Sequence, residues 1–171
     1  MFICISDSAK EILDRLGATG FHAYIVGGCV RDSLMGKAPH DWDICTDALP
    51  KDVIRIFGEE NTIPTGIQHG TVTVKTPTGM CEVTTFRMDG EYLDKRRPES
   101  VSFVRELRED LARRDFAINA MAYNPKEGLI DLFGGKEDLE NKVIRAVGEP
   151  RKRFQEDALR ILRAVRFSAK L

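Results

Sequence analysis

Asp41 and Asp43 stand one residue apart in "PHDWDICTDALP" (residues 39–50), within an otherwise apolar run. Two carboxylates so close repel each other and resist burial. In a strand, side chains alternate between faces, so both acids point one way while Trp42 and Ile44 bury on the other. A third acid comes from "MCEVTTF", where Cys81 and Val83 face one side and Glu82 the other. With the two strands side by side, three carboxylates converge on one patch. A hard divalent cation with oxygen ligands, Mg²⁺ above all, relieves that repulsion. The competing reading is a solvent-exposed acidic edge. "VGGCVRDSLMG" weighs against it, because Gly27 and Gly28 separate an apolar run from a short helix. Glycines there allow close backbone approach, and the helix start offers free N–H groups to a phosphate. Arg31 adds a fixed positive charge suited to phosphate oxygens. Together the two stretches place a triphosphate cradle beside a metal pair.

The elements that must position these residues are read from periodicity. "SAKEILDRLGATG" predicts a helix with Ile12, Leu13 and Leu16 on one face, stopped by Gly17 or Gly20. "HAYIVGG" is a short buried strand running into a turn, "VRDSLMG" a short helix and "DWDIC" the next strand. "LPKDVIRIFG" carries Pro50 at a first-turn position and closes on Gly58, which predicts another helix. "HGTVTVKTPTGMCEVTTF" alternates on both sides of "TPTG", the signal of a β-hairpin. "ELREDLARRDFAINAMAY" repeats at helical spacing through Leu107, Leu111, Ile118 and Met121, which predicts one continuous helix. "GLIDLFGG" is a strand into a turn, and "EPRKRFQEDALRILRAVRFSAKL" a long amphipathic helix from near Pro150 that stops in mid-pattern at Leu171. Such an ending fits a chain that continues or has been cut. A hairpin inside a strand–helix series argues for an α+β domain with a mixed sheet packed against helices, not a parallel βαβ array.

Composition sets the class. Among 171 residues, 42% are apolar and 31% charged, as in an ordinary soluble globular protein. No apolar stretch approaches the roughly 18 to 20 residues of a membrane helix, and the amino terminus does not read as a secretory signal. Cys4, Cys29, Cys45 and Cys81 lie far apart with no CxxC pair, which suits buried thiols of a reducing cytoplasm. His40 and His69 lack a third ligand pattern for zinc. Charge is uneven: residues 1–94 hold 8 Lys+Arg and 14 Asp+Glu, residues 95–171 hold 18 and 13. An acidic half and a basic half suit metal ions and phosphates respectively.

Three further stretches carry polar chemistry. In "EDLARRDFAINA", helical spacing turns Asp115 inward, and Arg113 and Arg114 are available to pair with it. In "QEDALRILR", Asp157 and Arg160 are i and i+3, hence neighbours on one helix. They form either a surface ion pair or a base-edge reader. Cytosine and adenine both present an exocyclic amine beside an acceptor ring nitrogen, whereas uracil and guanine present a carbonyl beside a ring N–H. A carboxylate only accepts and a guanidinium only donates, so one Asp with one Arg fits C and A and misfits U and G. "DGEYLDKRRPESVSF" reads as a loop, in which Lys95, Arg96 and Arg97 either touch substrate or are solvated.

The ordered set "GGCVRD", "HDWDI", "EVTTFR", "RRDFAINAMA", "DLFGG" and "RFQEDALRILRAVRF" resembles the class II tRNA nucleotidyltransferase and bacterial poly(A) polymerase family, over about residues 23 to 168. The resemblance implies a polymerase-β-like catalytic head over residues 1–138 and the beginning of a helical neck over 139–171. It also implies template-independent, two-metal nucleotidyl transfer from CTP and ATP to a tRNA 3′ end, with release of pyrophosphate. In that family's terms Asp41, Asp43 and Glu82 are catalytic, with Asp41 and Asp43 on the Mg²⁺ ions; Gly27, Gly28 and Arg31 hold the triphosphate. Asp115 accepts a hydrogen bond from the ribose 2′-OH, with Arg114 and Asn119 nearby on sugar or phosphate, and Asp157, Arg160 and Arg163 read the base. The loop of Lys95, Arg96 and Arg97 is associated with addition of the terminal A. Poly(A) polymerase, a CC-only-adding enzyme and a non-catalytic nucleotide- or RNA-binding module are the alternatives, and no protein or membrane partner is implied. Phosphate contacts beyond residues 145–171 (8 basic, 3 acidic) are few, so weak tRNA binding is expected of this chain alone.

Overall fold

The computed structural model describes residues 2–90, 92 and 98–171. The residues Lys95, Arg96 and Arg97 lie outside that range. In chain order the helices are α1 (Asp7–Ala18), α2 (Gly28–Leu34), α3 (Pro50–Phe57), α4 (Leu107–Ala112), α5 (Gly135–Glu140), α6 (Pro150–Glu156) and α7 (Leu159–Ser168). The strands are β1 (Ala23–Val26), β2 (Asp43–Thr46), β3 (Thr62–Gly66), β4 (Thr71–Thr76), β5 (Gly79–Thr85), β6 (Arg87–Asp89), β7 (Val101–Phe103), β8 (Met121–Asn124) and β9 (Gly128–Asp131). Seven strands form one sheet in the order β3-β4-β5-β2-β1-β8-β9. Only β2 and β5 run parallel in it, so the sheet is mixed and the α+β expectation holds.

The sheet is covered on both faces. Strand alternation sends Ile25, Ile44, Val72, Val74 and Val83 to one side, where Ile12, Leu13 and Leu16 of α1 and Val53 and Phe57 of α3 meet them. Trp42 packs against the same cluster, as the alternation of "DWDIC" requires. Tyr24, Val26, Cys45 and Ala122 point the other way and pack with Phe86, Leu111 and Val147. All four β1 residues are buried, so this strand is the middle of the molecule. β3 is a sheet edge, and Pro64 with a register shift between Ile63 and Gly66 blunts it. A third cluster joins Phe116 and Ile118 to Phe167 of α7, with Phe154 of α6 beside them.

Two helices expected from periodicity are interrupted. The stretch 106–123 is not one helix: α4 ends at Ala112, a 3₁₀ turn spans Ala117–Asn119, and β8 follows at Met121. Residues 115 to 123 are buried without a break, and a fully buried run has no period to read. The C-terminal helix breaks at Asp157, whose backbone is extended (φ −138, ψ 108). Strand β2 begins at Asp43, so Asp41 precedes it. The loop predicted after the hairpin is flanked by its own ribbon, β6 against β7. Three cysteines are buried as expected, and Cys4 is exposed.

"DLFGG" explains how the buried 3₁₀ turn is held. Asp131 at the end of β9 accepts the backbone N–H groups of Gly135 (2.8 Å) and Lys136 (2.9 Å), capping α5. Gly134 has φ +71, and a Cβ on Gly135 would run into the Ala117 carbonyl and Met121. Gly135→Ala is therefore expected to destabilise the chain by about 1–3 kcal/mol, as overpacking does. A denaturant melt with an unshifted midpoint would contradict the close approach.

Candidate active site

An open cleft of about 990 Å³ lies at one end of the sheet, between the β3–β4 side and α7. All twelve described residues singled out above line it: Gly27, Gly28, Arg31, Asp41, Asp43, Glu82, Arg114, Asp115, Asn119, Asp157, Arg160 and Arg163. They come from positions 27 to 163, so only the tertiary fold unites them.

The acids sit on the floor. Asp43 and Glu82 are register partners on the parallel strands β2 and β5. Both face away from the side on which Ile44 and Val83 are buried. Burial pushes the Asp43 carboxyl above its ordinary value; Glu82 and Asp41 add to the shift, and Arg114 opposes it. Such an acid is stabilised by gaining either a proton or a cation. Among the described residues, no group of three or more His, Cys, Asp or Glu side chains is gathered tightly enough to hold a metal ion as it stands. Unneutralised carboxylates repel one another. The donor set itself, all carboxylate oxygen, fits a hard divalent cation.

The glycine turn forms the adjoining wall. Gly27 has φ +78, and its N–H donates to the Met121 carbonyl at 3.1 Å. A Cβ there would lie 3.1 Å from Arg114 Nη1, so the missing side chain makes room for that guanidinium. Arg31 has structural duties in the cleft. Its Nε and Nη2 donate to Asp32 Oδ1 (2.9 and 2.7 Å), its Nη1 to Asn119 Oδ1 (2.6 Å), and its face lies over the Phe167 ring.

Asp115 is buried and satisfied, but not by the neighbours expected. Its Oδ2 accepts from Arg163 Nε at 2.6 Å, and its Oδ1 from Asn119 Nδ2 at 3.1 Å and from the Phe116 N–H at 2.8 Å. Arg113 and Arg114 pair instead with Asp110, which is 0% exposed. Asp110 was legible as the i−3 and i−4 neighbour of the two arginines.

Asp157 and Arg160 both line the cleft, yet they do not share one helix. Asp157 lies in the break between α6 and α7, where its Oδ1 accepts the Leu159 N–H at 2.9 Å. Arg160 opens α7, and its Nη1 pairs with Glu156 Oε2 at 2.7 Å. Arg163 continues the same wall toward Asp115, with its guanidinium over Phe167. The model of the "Poly A polymerase head domain" family matches residues 23–145. The chain belongs to this family. The CCA-adding enzyme of Leuconostoc mesenteroides subsp. mesenteroides is 54% identical to it over 163 residues, 95% of this chain and 40% of that protein. The crystal structure of Bacillus stearothermophilus CCA-adding enzyme in complex with CTP matches with a TM-score of 0.84 at 47% identity, over 95% of this chain and 39% of that one. A tRNA nucleotidyltransferase complexed with a primer tRNA and an incoming ATP analog matches with a TM-score of 0.71 at 35% identity, over 92% and 44%. The chain thus spans about 40% of the length of the curated relatives it matches.

Within this poly A polymerase head, the cleft has further lining that sequence reasoning missed. Phe167 supports both Arg31 and Arg163, and meets Phe116 edge-on with ring centroids 5.9 Å apart. Its position four residues after Arg163 was the available signal. Arg87, Asp89 and Tyr92 line a second wall; the Tyr92 hydroxyl donates to Asp89 Oδ2 at 2.8 Å. Burial, then the Asp89 hydrogen bond, push the Tyr92 hydroxyl well above its ordinary pKa. Arg87 also donates to the His69 carbonyl, tying β6 to the β3–β4 turn. Among the described residues no helix is long and apolar enough to cross a membrane.

Proposed function

We propose that this chain is the catalytic head and the beginning of the neck of an enzyme that adds CCA to the 3′ end of tRNA from CTP and ATP, without a nucleic-acid template. The observation that carries the reading is the in-register pairing of Asp43 with Glu82 on the floor of a cleft whose other walls are rich in arginine. The names of the similar proteins, CCA-adding enzymes among them, support the same substrates.

In this reading the tRNA 3′-hydroxyl attacks the α-phosphate in line and pyrophosphate leaves. Asp41 and Asp43 would hold Mg²⁺, which supplies activation of the hydroxyl and neutralisation of the leaving group. Glu82 orients the attacking hydroxyl or accepts its proton. Gly27 and Gly28 leave room for the triphosphate, and Arg31 lends it charge from a position already fixed by Asp32 and Asn119. Asp115 accepts the ribose 2′-OH, with Arg114 and Asn119 completing the sugar contact; this favours ribonucleotides over deoxyribonucleotides. Asp157 and Arg160 read the base edge, and Arg163 fixes Asp115 beside them. Residues 1–138 form the head, and the neck begins within 139–171. A cytoplasmic setting suits four free thiols.

The test is incubation with tRNA lacking its CCA end, Mg²⁺ and each nucleotide separately. Incorporation from CTP and then ATP, none from UTP or GTP, and loss of all incorporation with a chelator are expected. Long A tracts would instead indicate a poly(A) polymerase, products ending in CC a CC-adding enzyme, and binding without incorporation a nucleotide-binding module.

A further inference from the structure

Asp110 is the most enclosed acid beside the cleft, at 0% exposure, and it does not line the cleft itself. Its Oδ1 accepts from Arg113 Nε at 3.0 Å and from the Arg87 backbone N–H at 3.3 Å; its Oδ2 accepts from Arg114 Nη2 at 3.1 Å. The two arginines then diverge. Arg114 reaches over Gly27, and its charge acts on Asp43. Its Nε is buried with no hydrogen-bond partner among the described residues, and its Nη2 is held by Asp110. Arg113 turns to the other wall, where its Nη1 lies 3.7 Å from Asp89 Oδ2. Asp89 holds Tyr92, and the Arg160 guanidinium lies 5.7 Å from the centre of the Tyr92 ring. Arg160 also donates to the Arg113 carbonyl at 3.4 Å.

A buried ion pair is weak evidence for stability, because desolvation offsets most of the attraction. What it supplies here is direction. Two adjacent guanidiniums repel each other, and the shared anion holds both beside the cleft. Burial on its own would raise the Asp110 carboxyl, yet Arg114 and Arg113 hold it below the ordinary carboxylate range. It therefore stays charged at neutral pH.

We propose that Asp110 is a positioning residue that sets nucleotide affinity without touching nucleotide, by aiming Arg114 at the glycine turn and catalytic floor and Arg113 at the wall that carries Arg160. The effect on affinity rests on the nucleotide-binding reading of the cleft given above; the aiming does not.

The experiment compares the wild-type chain with Asp110→Asn, Arg114→Gln and the double variant, by CTP titration with Mg²⁺ and by thermal melts. Asp110→Asn is expected to weaken CTP binding at least about tenfold, the usual order for losing a charge-assisted contact. In the Arg114→Gln background the same change should add less than about threefold, because the Arg114 branch of its action is already gone and only the Arg113 branch remains. Wild-type affinity in a folded Asp110→Asn protein, with only its melting temperature lowered, overturns the proposal. So does a double variant tenfold weaker than Arg114→Gln alone. Should Asp110→Asn fail to fold, the double variant, which leaves fewer uncompensated charges, decides by the same comparison. A ligand-free readout separates this proposal from the nucleotide reading. The Arg113 Nε–H signal, protected from solvent exchange in wild type, should exchange freely in Asp110→Ala, which removes the accepting oxygen that asparagine would keep. If protection persists there, the aiming role is wrong whether or not CTP binds; if wild type ignores CTP while protection is lost, only the nucleotide reading fails.

Discussion

Asp43→Asn is expected to reduce CTP incorporation by at least about 10³-fold, since in the proposed reading it removes a ligand of the catalytic cation, the main stabiliser of transition-state charge. The same variant is expected to melt no lower than wild type in the absence of divalent cations. The sign follows from the raised proton affinity of the Asp43 carboxyl, to which burial, Glu82 and Asp41 all contribute. A carboxylate whose folded pKa lies above its unfolded value weakens the fold as pH rises through that range, because ionisation is then costlier in the native state. Wherever the charge is present the cost is present with it, so its removal relieves the fold. In wild type Mg²⁺ should raise the melting temperature; in Asp43→Asn that response should be much smaller. Asp41→Ala should lose activity in parallel. Substantial incorporation by either variant, or an Asp43→Asn protein that melts well below wild type without cations, would contradict the assignment of the floor.

The second large effect concerns base choice. Asp157→Ala should lower discrimination against UTP by roughly 10²-fold or more, because a site that pairs with a polar edge rejects the wrong edge chiefly by leaving buried groups unpaired. Asp157 also caps α7 through the Leu159 N–H, so the alanine variant should lose about 1 kcal/mol of stability as well. Asp157→Asn separates the two roles. Asparagine keeps a cap oxygen but adds an amide donor, which suits the carbonyl of uracil. That variant should hold its melting temperature and still accept UTP. The ratio of kcat/KM for CTP and UTP is the measurement, and an unchanged ratio in both variants would remove Asp157 from base reading.

How much of this was readable beforehand depends on whether a signal was local. Asp43 and Glu82 were legible because strand alternation fixes which side each acid takes, with Ile44, Cys81 and Val83 marking the opposite side; Asp41 precedes the strand and reaches the same cleft from its entry. The hairpin was legible from two alternating runs about "TPTG". The stretch after Ala112 was not, since Leu107, Leu111, Ile118 and Met121 satisfy a helical period while lying in a helix, a 3₁₀ turn and a strand. That error carried over to Asp115, whose partner proved to be Arg163, far along the chain. The break at Asp157 has no Gly or Pro to announce it; a short acidic side chain that caps the next helix is its only sign. β3 was missed because Pro64 reads as a strand breaker, and it sits where an edge tolerates one.

The parallel alignment of β2 with β5 has a consequence for how the chain comes together. Neighbouring parallel strands cannot be joined by a tight turn; here α3, β3 and β4 intervene. The entropic cost of closing that long loop falls before the contact is made, which places Asp43 beside Glu82 among the slower events in folding. Its two acids also oppose the approach they complete. A half-assembled chain accordingly keeps them apart, and the floor of the cleft is complete only when the whole sheet is.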